Sequence, residues 1–310
     1  MSAISDLNER DRSPMTPPAL DDSADSWRQR SAALKLARSV VGNRLGLIGV
    51  VVIVVIVLFS FLGPLFYHAD TGTTRLMDAT LTPGAGHPLG TDSDGYDVLA
   101  RLMAGGQSSL EVGFVAAVLG SVVGTLVGAT AGFCGGWVDT VLMRVVDSLL
   151  SIPALLQVLV LASIFVPNVT MLILVVAFVS WLPAARLVRG ETLSLRERDF
   201  VQAARVMGTS PSRSLLRHII PNVSGVIAVQ TTFQVADAIL LLASMSFLGL
   251  GPPAPAASWG GMLSNGLNYM FDGYWWLIYP AGIMIVLTVV AFNLVGEALR
   301  DAFEVRMQRL

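Results

Sequence analysis

Charge is scarce in this chain. Only 14% of its 310 residues are Asp, Glu, Lys or Arg, against about 25% in an ordinary soluble domain. There is one cysteine, Cys134, so an internal disulfide and any cysteine-based metal site are excluded. A small apolar filler is the plain reading of that residue. There is one lysine, Lys35, and no G-x-x-x-x-G-K-[ST] run surrounds it. A phosphate-cradling loop is therefore absent, and any ATP hydrolysis linked to this chain must be done by another subunit. The three histidines, His68, His87 and His218, are far apart and lack metal-ligand spacing. Neither a bound metal nor a nucleic-acid partner is expected.

What remains is apolar. Hydrophobic residues make up 54%, and the mean hydropathy of +0.67 is that of a membrane protein. The net charge of −2 carries no message, because the charges are unevenly placed.

Met1 to about Asp25 is polar and acidic with three prolines, and disorder is expected there. Trp27, Leu34, Ala37 and Val41 share a face over 27–44, flanked by Arg28, Arg30, Lys35, Arg38 and Arg44. That pattern suits a helix lying on membrane lipid, or a positive flank that sets orientation. The first span is expected at 45–66, long enough to cross. A polar connection, 67–108, follows. The second span is expected at 109–133, where Gly120, Gly124, Gly128 and Gly132 recur every four residues and form a ridge for close helix packing. The third is expected at about 149–165, with 137–148 as cytoplasmic turns, and the fourth at 169–188. The fifth is expected at 222–248, the sixth at 275–295, and a cytoplasmic tail at 298–310.

With the N-terminus inside, 18 of the 20 Lys and Arg residues fall on the cytoplasmic side, and only Arg75 and Arg101 outside. The positive-inside rule then puts both termini in the cytoplasm.

The longest polar break in the C-terminal half is Leu195 to Asn222. Its arginines keep it out of hydrocarbon. Asp199 and Gln202 read as a capping pair, and Phe200, Ala203, Ala204 and Met207 fall on one helical face. Gly208 can end that helix in the left-handed region, and Ser210 with Pro211 can start another. The expectation is a short, stiff helix-turn-helix with a small-residue face. The bland alternative is a basic helix on lipid.

Gln202-Ala203-Ala204, then Gly208, then Ile220-Pro221 resembles the E-A-A-x3-G-x9-I-x-L-P loop of ABC importer permeases. The run RERDFVQAARVMGTS…RHIIPN is similar to the dipeptide, oligopeptide and nickel branch, with Gln202 in place of Glu and His218 at the first Ile. His87-Pro88-Leu89-Gly90-Thr91-Asp92 with Gly95-Tyr96-Asp97, and the end Gly296–Asp301, resemble the same family; Tyr96 stands where the family has Arg. No chemical role for the first of these runs follows from sequence.

The resemblance implies an all-α, polytopic bacterial inner-membrane protein of six transmembrane helices with the type I permease fold. Its five-helix core would occupy 109–297 with a coupling loop at 189–221. Arg198, Asp199, Phe200, Gln202, Ala203, Ala204, Met207 and Gly208 would couple to an ATPase. The implied partners are a homologous second permease, two cytoplasmic ABC ATPases that use ATP and Mg, and an extracytoplasmic solute-binding protein. The implied solute is a dipeptide or oligopeptide, with nickel or another peptide-like solute as the alternative. A transporter or channel working without ATP is the competing class. It would need an ionisable relay, and Asp237 alone lies deep in a span.

Gln230, Gln234, Asp237 and Ser244 fall in one stripe of the fifth span. Two readings stand: the lining of a translocation path, or glue toward a partner subunit.

Overall fold

The computed structural model describes residues 42–68, 74–166, 168–253 and 255–307. The expected disordered tail and nearly all of the interfacial helix lie outside the described residues. Among those described, all regular elements are helical, and the β-type pairing is an isolated bridge between Thr91 and Asp97.

Helix α1, Arg44–Phe66, is capped by Asn43, whose side chain accepts from the Leu45 N–H. It is apolar all round, and the face it buries carries Gly46, Gly49, Ile56 and Ser60. A Cβ on Gly49 would stand 2.7 Å from the carbonyl oxygen of Ala291, which shows how closely the last helix approaches.

Helix α2, Val98–Cys134, begins eleven residues before the expected span. Asp97 caps it, accepting from the Ala100 N–H at 2.9 Å. Its 37 residues give a rod of roughly 55 Å. The glycine ridge packs on helix α5, Val169–Arg196. Added Cβ atoms on Gly120, Gly124 and Gly128 would meet Ser180, Ala184 and the Ala185 carbonyl at 2.8, 2.5 and 2.2 Å. No side chain fits there, so the backbones are in contact.

The expected third span is broken. Helices α3, Gly136–Leu150, and α4, Ala154–Ile164, are bent by 87° at 151–153. Pro153 cannot continue the backbone ladder. Gln157 ties the corner together, donating to the Leu149 carbonyl at 2.7 Å and the Ile152 carbonyl at 2.8 Å. Eleven residues of α4 reach about 16 Å, half a membrane.

Asn168 caps α5, accepting from Met171. The helix runs to Arg196, so the expected loop start at 189 lies inside it. Helix α6, Asp199–Val206, and α7, Pro211–Ser214, follow. A π-helical turn at Leu215–Ile219 joins α7 to α8, Ile220–Met245. The expected start of the fifth span at Asn222 is thus mid-helix: the wide turn absorbs the break that Pro221 would impose. A second π turn, Ser246–Leu250, ends the helix at Gly249, φ +86°. Helix α9, Trp259–Leu267, is short, and α10, Tyr279–Met307, carries the expected sixth span and continues through most of the expected tail.

Five described helices are long and apolar enough to cross a membrane, and the bent pair makes six when its arms count as one span. Trp259, fully buried, locks α9 to α2 by donating from Nε1 to the Leu102 carbonyl at 2.9 Å.

Candidate functional site

Helix α6 is joined to the bundle through its inner face. Val201 is fully buried with Ile219 and Phe133 at the end of α2, and Ala204 is also buried. The outer face is apolar and open: Phe200 is 46% exposed, Met207 79% and Val206 89%, with Gln202 and Ala203 also exposed. The expected face therefore splits. Ala204 turns into the protein, while Phe200, Ala203 and Met207 point away from it. With two helical turns, one residue is enough to change sides.

The ends of α6 differ in one detail from expectation. Asp199 is the first helical residue, not a cap; the Arg198 carbonyl accepts from the N–H groups of Val201 and Gln202. The Gln202 amide donates to the Arg196 carbonyl at 3.4 Å, so no reciprocal capping box forms. Asp199 still sits favourably at the positive helix end. The far end is a Schellman turn: Gly208 has φ +81°, and the Thr209 N–H reaches back to Ala204 at 3.1 Å. Ser210 then opens the next helix, its carbonyl accepting from Ser214.

The base beneath α6 is charge-paired. Arg189 of α5 grips Asp139 of α3 with two nitrogens, Nη2 at 2.6 Å. Arg186 pairs with Asp147, and Arg196 donates to the Gly132 carbonyl at 3.2 Å.

The stripe on α8 also divides. Gln234 is 3% exposed and bonded within the chain: Ser121 of α2 donates to its oxygen, and its nitrogen donates to the Ser180 carbonyl of α5 at 2.6 Å. Thr231 extends the network to Ser121 at 2.7 Å. Gln234 therefore joins three helices. Gln230 is half-buried and Asp237 exposed on the surface of the subunit. Ser244 donates to its own helix at Leu240.

At the opposite end of the helices, the His87–Asp97 run forms a knot that sequence reading left without a role. Asp97 caps α2 with one oxygen, while the other accepts from the Tyr67 phenol at 2.8 Å and lies 2.9 Å from His87 Nδ1. Burial and the Asp97 bond push the Tyr67 phenol up to about 12. Thr91 donates to the Asp78 carbonyl and accepts from the Leu81 N–H, and the Trp276 indole donates to the Thr91 carbonyl at 3.3 Å. Gly95, φ +81°, passes so close to Arg75 that a Cβ would lie 2.0 Å from its carbonyl oxygen. Asp92 accepts from the N–H groups of Asp94 and Tyr96; burial nonetheless raises its carboxyl above the usual range. The aspartate at a helix start in Gly-Tyr-Asp was the available signal for the cap.

A bundle of spanning helices tied by glycine contacts, with a short exposed apolar helix held at one end, defines a multi-pass permease-type membrane protein. Residues 124–309 match the family described as binding-protein-dependent transport system inner membrane component, and 35–83 match the N-terminal TM domain of oligopeptide transport permease C. The chain belongs to this family of inner-membrane transport components. It is 36% identical over 299 residues to the oligopeptide transport system permease protein OppC of Bacillus subtilis (strain 168), covering 95% of this chain and 98% of the relative. Against OppC of Escherichia coli (strain K12) the identity is 43% over 265 residues, 84% of this chain and 87% of the relative. The dipeptide transport system permease protein DppC of Bacillus subtilis (strain 168) is 32% identical over 292 residues, 94% and 88%.

Proposed function

We propose that this protein is a permease subunit of an ATP-driven peptide importer, with dipeptides or oligopeptides as solute. The observation that carries the reading is the outer face of α6. Phe200, Val206 and Met207 are exposed on a helix whose inner face is anchored and whose far end is closed by the Gly208 turn. An exposed apolar patch held rigidly is what a docking partner needs. Oligopeptide and dipeptide permeases among the relatives support the solute class.

In this reading α6 seats in a cytoplasmic ABC ATPase, and ATP and Mg are used there. A second ATPase serves a homologous permease with which this chain forms a heterodimer. A solute-binding protein delivers peptide to the opposite end. The distribution of Lys and Arg supports an orientation with both termini and α6 in the cytoplasm. Closure of the ATPase pair displaces the two α6 helices, and the spans switch access. Asp237 and Gln230 then face the path or the partner permease, while Gln234 is internal. The test is a cysteine at Val206, in a background lacking Cys134, cross-linked to the ATPase in membranes. A specific adduct that changes with nucleotide is expected. Absence of any adduct from Val206 and Met207 sinks the docking assignment.

A further inference from the structure

Glu111 lies deeper than its place in the sequence suggests. The expected span began at 109, but α2 starts at Val98, so Glu111 stands well inside the helix. A Cβ on Gly106 would meet the Ser60 hydroxyl of α1, and Gln107 donates to the Ser60 carbonyl at 2.8 Å. A Cβ on Gly113 would meet the Ile239 side chain of α8. Glu111 sits between these two levels. At about 1.5 Å per residue it is roughly 15 Å inside the end of α1 at Phe66, and about as far from the end of α8 at Gly249. A hydrocarbon core is about 30 Å thick, so Glu111 is close to its middle.

The residue is exposed on the surface of the subunit. It lies about half a turn round α2 from Gly113, which faces α8, and from Gly120, which faces α5. Among the described residues none forms a hydrogen bond or ion pair with it. Its polar neighbours one turn away are engaged elsewhere: Gln107 with Ser60, and Ser108 with the Ala104 carbonyl at 3.4 Å. In the other direction Phe114, Val122 and Leu126, each more than half exposed, continue its face with half-buried Val118 as an apolar strip.

An ionised carboxylate against lipid at this depth is costly, and acidic residues in spans face protein or water. Asp237 gives the contrast. Ile239, two residues on, faces α2, so Asp237 looks out from the far side of α8, with Gln230 and Ser244 on its stripe. A polar stripe can be wetted. One charge in an apolar strip suits instead a packed helix that carries one complementary charge. No Lys, Arg or His occurs in 45–66, 102–134, 154–164, 169–185, 220–250 or 279–299. A second copy of this chain therefore has no cation to bring to that depth, and the complementary charge must come from a different chain.

We propose that the Glu111 face of α2 seats a helix of the second permease, held by an arginine or lysine which that helix places at mid-membrane depth. The inference rests on the importer reading above and adds to it where the two permeases meet and why they differ.

The complete transporter is purified through a tag on this chain, and the homologous permease recovered with it is measured. Glu111→Leu, which suits lipid, should insert at the wild-type level and lower that recovery about tenfold. Glu111→Lys should lower it further, and replacing the mid-depth cation of the second permease by Glu should restore it. In a background lacking Cys134, Phe114→Cys should cross-link through a bifunctional thiol reagent to a cysteine placed one turn from that cation.

Wild-type recovery with Glu111→Leu and Glu111→Lys overturns the seat and leaves the importer reading standing. So does a recovered permease with no basic residue in its spans. Should Glu111→Lys fail to insert, Glu111→Leu decides alone. Full recovery with loss of peptide uptake in Glu111→Leu assigns the carboxylate to the solute path, against the proposal. Labelling of Phe114→Cys by a lipid-soluble maleimide as fast in the assembled transporter as in this chain alone puts the face against lipid, and also overturns it. If the wild type brings down no homologous permease, the importer reading falls, and the seat with it.

Discussion

The side-chain nitrogen of Gln234 donates to the backbone carbonyl of Ser180 at 2.6 Å, across the α8–α5 contact. With Ser121 on its oxygen, this amide is satisfied without any partner subunit. Gln234→Leu leaves the buried Ser121 hydroxyl without the acceptor for its proton. It is expected to cost about 1–3 kcal/mol, read as a lower midpoint of thermal unfolding in detergent. Gln230→Leu, half-buried and outside this network, should change the midpoint little; an equal loss in both variants would contradict the division of the stripe.

Helix α6 predicts two opposite phenotypes from neighbouring positions. Met207→Asp, on the open face, should leave the protein inserted and stable but abolish solute-stimulated ATP hydrolysis by the assembled transporter. Ala204→Leu presses into the packed inner face and should destabilise by about 1–3 kcal/mol. Protease resistance of the purified chain separates the two. If Met207→Asp retains normal ATP hydrolysis, that face does not dock.

The knot predicts that Asp97→Ala loses three partners at once: the α2 cap, the Tyr67 phenol and the His87 ring. The cap alone is worth about 1 kcal/mol, and the buried partners add to it. Asp97→Asn keeps a capping oxygen and should recover part of the loss, while Gly95→Ala meets the Arg75 carbonyl and should be as harmful as Asp97→Ala. Expression level and unfolding midpoint in detergent check the order.

Orientation is checked by reporter fusions. Fusions at Asp92 and Pro253 should read extracytoplasmic, and one at Ser210 cytoplasmic, as the placement of Lys and Arg requires. A cytoplasmic reading at Asp92 inverts the scheme.

The surface of α8 is checked by cysteines at Gln230, Gln234 and Asp237 in a background lacking Cys134. A small water-soluble thiol reagent should label Asp237→Cys in a nucleotide-dependent way if that residue lines a path. Gln234→Cys should resist in every state. Constant protection of Asp237→Cys together with loss of heterodimer assembly leaves it as an interface residue.

Hydropathy made the spanning helices legible, because about 20 apolar residues have few other uses. The glycine ridge was equally plain, since a four-residue repeat of glycine marks one helical side. The helix ends were misjudged wherever a helix runs on past its apolar stretch through polar residues, as over 98–108, 189–196 and 296–307. The bend at Pro153 was hidden because the residues on either side are apolar, and the run 149–165 read as one span with 137–148 as cytoplasmic turns before it. The side taken by Ala204 could not be read from α6 itself. It depends on where Ile219 and Phe133 arrive from other helices, and periodicity is silent about that.

From Pro211 to Leu248 the chain is helical throughout, passing through the π turn at 215–219, and spans roughly 57 Å at about 1.5 Å per residue before the kink at Gly249. One end leaves the Gly208 turn that closes α6; the other ends at the Gly249 kink, at the opposite end of the helix. A tilt of about 10° around its middle moves each end by roughly 5 Å in opposite directions, a span comparable with one helical turn. Such a rod would work as a lever arm, with the Gln234 junction near its centre as fulcrum. A push at one end would then move the other without any relay of side-chain changes between them.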